Sequence, residues 1–295
     1  MSFPPSSNLY MSSAIRNGAS ERETFHKFFE CWLVEQNQFL HSLISASKHL
    51  STAPAPAPSR HRDDSNGRIT DSELRQLIDR VTRHYEDYYR VKSRCAKQDV
   101  FTMLSPSWLS SLESAFLWMG GWRPTMAFHL LYSKSGMQLE AALADLIRGL
   151  STGDLADLSP SQLSRIDELQ RRTIREEKLL TERMAAHQET VADHEMVELS
   201  QAVTEMLQSG GGGGDEDARV DMEERVESTL KPKEEGLEAI VEEADDLRLR
   251  TLKGILEVLT PVQAVHFLIA AAELHLRLHE WGKKKDAGAV GGARE

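Results

Sequence analysis

The sequence predicts an all-α fold, an antiparallel helical bundle with one very long helix and two flexible insertions. Three observations carry that expectation. Apolar residues recur at spacings of three and four through most of the chain, the signature of helices with one buried face. No segment alternates apolar and polar residues with the period of two that a half-buried strand needs. Polar stretches rich in proline or glycine interrupt the pattern in two places. The chain has 295 residues, 40% hydrophobic and 27% charged, so it can bury a sizeable core.

Residues 1–19 are expected to be disordered. Ser20 and Glu23 have capping-box spacing, and Phe25, Phe28, Phe29, Trp32, Leu40 and Leu43 then line one face of a long helix. The first insertion, 51–69, holds the run STAPAPAPSRHRDDSNGR, which cannot sustain a helix. Thr70 and Glu73 repeat the capping box ahead of a second helix marked by Leu74, Leu77, Val81, Tyr85 and Tyr88. Ser105 and Pro106 read as a cap and first helical position, with Trp108, Leu112, Phe116 and Met119 on one face before Gly120 and Gly121 end the helix. Pro124 opens the next helix, and residues 139–150 supply another short one. Between Pro160 and Leu207 no proline or glycine follows the start, which predicts a single helix of about 45 residues, roughly 65 Å long. The second insertion, 209–236, begins with five glycines and continues as an acidic, solvated loop. A helix from Leu237 to Leu259 follows. Thr260, Pro261 and Gln263 then start the last helix, expected to stop near Gly282 and leave 283–295 as a disordered tail with Lys283, Lys284 and Lys285 at its base.

Charge is concentrated. Residues 215–246 contain 14 acidic side chains against Arg219, Arg225, Lys231 and Lys233, so they carry −10 of the net −11. That balance, with no basic surface interleaved with aromatics, argues against direct, specific DNA binding. Cys31 and Cys95 lie far apart and outside any Cys-x-x-Cys pair, which points to a reducing compartment. With no signal-like segment and no membrane-spanning apolar run, the expected location is nucleus, cytoplasm or both. P-loop, Gly-x-Gly-x-x-Gly, Gly-x-Ser-x-Gly and His-Glu-x-x-His motifs are missing, so the expectation is a protein that is not an enzyme and has no metal centre.

Two features stand out. His275 and His279 fall about 40° apart on the last helix, while His266, Glu273, Arg277 and Glu280 gather on the opposite face, so the pair points toward the core. Either the imidazoles are hydrogen-bonded braces of the bundle, or they contact haem or a metal. Residues four apart on one helix stay on the same side of a porphyrin, so only one could be an axial ligand of a given haem. The second feature is Trp122, Arg123 and Pro124, between the double glycine and the next helix. It reads as a structural corner or an interaction site, with tryptophan burying area and arginine able to meet a carboxylate of the long helix.

Three blocks, FHKFFECWLVEQNQFLHSL, SWLSSLESAFLWMGGWRPTMAFHLL and LRLRTLKGILEVLTPVQAVHFLIAAAELHLRLHEWG, resemble the plant Delay-of-Germination (DOG) domain over about residues 20–282. The same domain forms the C-terminal part of TGA-class bZIP transcription factors. No basic region or zipper heptads are visible here, so the chain resembles a zipper-less relative. The resemblance implies a non-enzymatic regulator of seed dormancy and germination within abscisic acid signalling. It implies action through protein contacts, with type 2C protein phosphatases or TGA-class bZIP factors as partners. Apart from the resemblance, a homo-oligomer is an open expectation. The resemblance also implies haem binding, with His275 and His279 at the positions of the family's histidine pair. An apolar small molecule in the bundle core is the alternative ligand.

Overall fold

The computed structural model describes residues 21–51, 69–141, 154–209 and 216–292. Among these the chain is helical: α1 (Glu21–Ser51), α2 (Asp71–Ala96), short α3 (Val100–Leu104) and α4 (Ser111–Ser114), α5 (Met126–Ala141), α6 (Pro160–Glu189), α7 (His194–Ser209), α8 (Glu216–Val258) and α9 (Pro261–Gly292). No β-strand occurs among the described residues. Trp118 and Gly121 form only an isolated antiparallel bridge.

The helix starts follow local chemistry. Thr70 and Glu73 exchange side-chain and backbone hydrogen bonds in a complete capping box at α2. Ser159 and Gln162 do the same at α6, behind Pro160 at the first position. The Gln162 amide also donates to the Val258 carbonyl and to Gln263, which accepts from the Thr260 N–H at the α9 start. One polar knot thus joins the ends of three helices.

Helix α9 is the hub, packing on α1, α2, α4 and α5. Its Val265, Phe267 and Leu268 meet Leu40 and Leu43 of α1, Phe128 and Leu131 of α5, and Ile255 of α8 in the main core. A second cluster gathers Phe25, Phe28, Phe29 and Trp32 of α1 with Val91, Met103 and Trp108. A third, with Leu180, Ile240, Ala244 and Leu247, joins α6 to α8.

Four expectations are corrected. The 45-residue helix breaks at Thr190–Ala192, a 3-10 turn, after which the Asp193 carboxylate accepts from the Met196 N–H and starts α7. A strong cap at Asp193 outweighs the continuing apolar spacing. The longest helix is instead α8, 43 residues, and it takes in residues 216–236 of the second insertion. There Met222, Val226 and Leu230 recur every fourth residue, a stripe that the acidic composition concealed. The helix expected from Pro106 to Met119 is absent: Ser105 ends α3, and Ser110 with Glu113 builds a capping box for the single turn of α4. Finally, α9 runs through Gly282 and the three lysines to Gly292 rather than ending in a disordered tail at 283. Gly282 is a point of close approach and not a stop, since a Cβ there would overlap Ser110. One turn on, Asp286 accepts from the Ser111 N–H at 2.9 Å. Residues 1–19 and nearly all of the first insertion, together with most of the helix expected at 139–150, lie outside the described residues.

Candidate functional site

Two adjoining polar centres penetrate the bundle. In the first, α1 supplies Trp32, whose indole stacks on His84 of α2 at 4.6 Å between centroids and 3° between planes. The Trp32 Nε1–H donates to the His84 carbonyl at 3.2 Å, locking the ring pair. His275 lies 5.4 Å from Trp32 and 6.5 Å from Phe29, inside this aromatic wall. Burial pushes its pKa down to about 4, with Glu113 opposing and His279 and His84 adding to the effect. His279, one turn on, meets Phe29 edge-on at 5.7 Å and donates from Nδ1 to both oxygens of Glu113 at 3.0 Å.

Glu113 is buried, and burial disfavours its charge, yet hydrogen bonds from His279 and Ser110 outweigh that and hold its carboxyl below the usual range. The α4 capping box therefore serves twice, since the carboxylate that caps the helix also fixes the His279 ring. Across the wall, His84 Nδ1 lies 3.5 Å from Glu35. Buried His84 Nε2 and Gln36 Oε1 have no hydrogen-bond partner among the described residues.

The second centre holds the corner. Trp118 and Gly121 pair across Met119 and Gly120, both at positive φ (49° and 70°), the backbone of a tight two-residue turn. A methionine in that conformation is strained. The strain is offset from beneath: Arg248, fully buried, donates to the carbonyls of Trp118, Met119 and Trp122, while Lys92 donates to that of Gly120 at 2.8 Å. Asp245 lies between the two cations, 2.9 Å from Lys92 Nζ and hydrogen-bonded to Arg248. Burial lowers the Lys92 pKa to about 8 even so.

The corner residues are placed individually. The Trp122 indole donates to the Tyr89 hydroxyl at 2.8 Å. Arg123 reaches buried Glu177 of α6 at 2.8 Å, and the other Glu177 oxygen accepts the Thr125 N–H at 2.6 Å. Behind Pro124, the cap of α5 therefore comes from another helix. Sequence reasoning placed the histidines, Trp122, Arg123 and Pro124, and missed Glu113, His84, Lys92, Asp245 and Arg248. For these it held no decisive signal, because each is an ordinary polar residue within a helical pattern until a distant element covers it.

The donor chemistry separates the two histidines as haem ligands. With Nδ1 held by a carboxylate, His279 keeps Nε2 for a ligand, the arrangement typical of metal-binding imidazoles. His275 fits poorly, because its ring is walled by Trp32 and Phe29, each at most 3% exposed. No group of three or more His, Cys, Asp or Glu among the described residues is arranged to hold a metal ion, and none of the described helices is long and apolar enough to cross a membrane.

Comparison with known proteins places this architecture. The family model for DOG1, seed dormancy control, matches residues 57–133. Protein DOG1-like 4 of Arabidopsis thaliana is 31% identical over 92% of this chain and 97% of its own length. Protein RESPONSE TO ABA AND SALT 1 of Arabidopsis thaliana is 29% identical over 88% of this chain and 96% of its own. Transcription factor TGA2 of the same plant is 30% identical over 84% of this chain but 60% of its own length. The match to a DOG1-like protein over 92% of the chain establishes that the chain belongs to the DOG1-like family of seed dormancy control proteins, related to the TGA transcription factors.

Proposed function

We propose that the protein is a non-enzymatic regulator of seed dormancy and abscisic acid response that acts by binding other proteins, type 2C protein phosphatases or TGA-class bZIP factors among them. The observation that carries this reading is the near-complete overlap with relatives whose names denote dormancy control and response to abscisic acid. The polar centres support it, because their buried charges bind backbone carbonyls and helix starts, which builds a rigid scaffold rather than a substrate cleft. Specific DNA recognition is not part of the proposal, and the nucleus or cytoplasm is its setting. The test is binding of the purified full chain to a purified type 2C phosphatase and, separately, to a TGA factor. Micromolar or tighter association with either supports the proposal, and no association with both refutes it.

A second reading rests on the Glu113–His279 pair: haem held through His279 alone. His279 would hold the group through Nε2 with Glu113 keeping the imidazole oriented, and an iron porphyrin would supply a redox couple there. Haemin titration followed in the Soret band should show binding that survives His275→Phe and is lost in His279→Ala. Equal loss in both folded variants refutes a single ligand.

A further inference from the structure

Far from the histidine centre, α7 and the first half of α8 leave an apolar groove of about 610 Å³ open between them. Its floor is Val203 and Met206 on α7 facing Met222, Val226 and Leu230 on α8, spaced at three and four so that each helix offers one ridge. Leu207 stands at the lip, 76% exposed, an unusual amount for a leucine at a helical interface. From Arg219 to Glu234 the groove follows α8 for about 23 Å, matching roughly four turns of a docked helix. Two methionines in the floor make it adaptable to differing apolar side chains.

The rim decides what fits. Residues 194–208 and 219–235 carry nine carboxylates against four Lys and Arg. Of those four, Lys233 is already held, its ammonium 2.6 Å from Asp193 and 2.8 Å from the Thr190 carbonyl. On the groove itself Glu223, Glu227 and Glu234 stand exposed along the α8 side with Arg219 and Lys231 between and beside them, so the acidic excess comes from the wider face of the two helices rather than from the lining alone. A second copy presenting this same face would set one net charge of −5 (four bases less nine acids over 194–208 and 219–235) against another, which disfavours self-docking.

We infer that the α7–α8 groove is a docking site for a basic amphipathic helix of a partner protein, its apolar face on the methionine floor and its lysines or arginines against the acidic rim. The inference is independent of the histidine centre and of any haem.

The test uses the full-length protein and a fluorescent 16-residue helix of leucine and lysine at helical spacing, read by anisotropy. Expected is saturable binding at least about tenfold tighter than that of the same peptide with glutamate for lysine, and weakening as salt is raised. Leu207→Asp, at an exposed position that folding does not need, and Glu227→Lys should each weaken it about tenfold with helix content unchanged. Absent binding, equal binding by both variants, or equal binding of a sequence-scrambled lysine peptide overturns the inference. So does a dimer in sedimentation equilibrium that Leu207→Asp dissociates, since the occupant would then be a second copy.

Discussion

Replacing His275 by phenylalanine should remove about 2 kcal/mol of the acid sensitivity of this bundle. The native imidazole is held neutral by burial, its pKa lowered from 6.5 to about 4, so between those values the unfolded chain binds a proton that the folded chain refuses. Stability contributed by the neutral ring is therefore complete above pH 6.5 and falls as pH drops toward 4. Between pH 7.5 and pH 5 the loss is about 2 kcal/mol, a sizeable part of a typical domain stability of about 5–15 kcal/mol. Phenylalanine fits the same aromatic wall of Trp32 and Phe29 and should change stability at pH 7.5 by less than about 1.5 kcal/mol. Glu113, His84 and His279 surround the ring, and His266, its pKa also lowered by burial, lies on the same helix, but all are present in both proteins, so the difference between wild type and variant isolates His275. Urea unfolding at both pH values, followed by tryptophan fluorescence and far-ultraviolet circular dichroism, measures it. Equal losses in the two proteins would show that His275 takes its proton without resistance, and the argument from burial would fail.

Three further outcomes follow from the geometry. Arg248→Met leaves the carbonyls of Trp118, Met119 and Trp122 without their donor and should cost about 3–5 kcal/mol in denaturant unfolding, since it breaks a buried charge network. Gly282→Ala should cost about 1–3 kcal/mol by calorimetry, because the added methyl meets Ser110 and disturbs the Glu113 cap. An unchanged melting temperature would mean that α4 is free to move away. Trp122→Ala should cost on the order of 2–3 kcal/mol through lost packing and the lost bond to Tyr89, whereas unchanged stability with weakened partner binding would mark it as an interaction residue.

What could be read from the sequence was whatever depends on neighbours in the chain. The Thr70–Glu73 and Thr260–Gln263 caps act over three residues, and both structures follow the letters. The inward placement of His275 and His279 likewise follows from helical spacing alone. Competition between local signals was not legible. Ser105–Pro106 and Ser110–Glu113 both spell a helix start, and the second prevails because its glutamate also receives His279 from 166 residues away. Glu177 is one charged residue among many on a long helical segment, and nothing near it in the chain shows that it caps α5 across the fold. Acidic composition suggested a loop at 216–236, where a stripe of Met222, Val226 and Leu230 against α7 sustains a helix.

The break in the expected long helix and the proline in α8 belong to one junction. Pro232 cannot donate its backbone nitrogen, so α8 loses a hydrogen bond at that level, and Thr190–Ala192 interrupts the opposing helix beside it. The two interruptions are tied together. Lys233 crosses to the Thr190 carbonyl and the Asp193 carboxylate, and the His187 ring hydrogen-bonds the Lys233 carbonyl at 2.7 Å through Nε2. Gly236 makes room, since a Cβ there would overlap the same imidazole. Two irregularities that would each weaken an isolated helix thus satisfy one another across the pair, and they divide it into a proximal part, packed through Leu180, Ile240 and Ala244, and a distal part that carries the open groove. Among the described residues the buried charges Lys92, Glu113, Glu177, Asp245 and Arg248 all lie on the proximal side of the junction and the open groove on the distal side, so rigidity is concentrated where the corner and the histidines need fixed geometry, and the groove lies where a helix can dock.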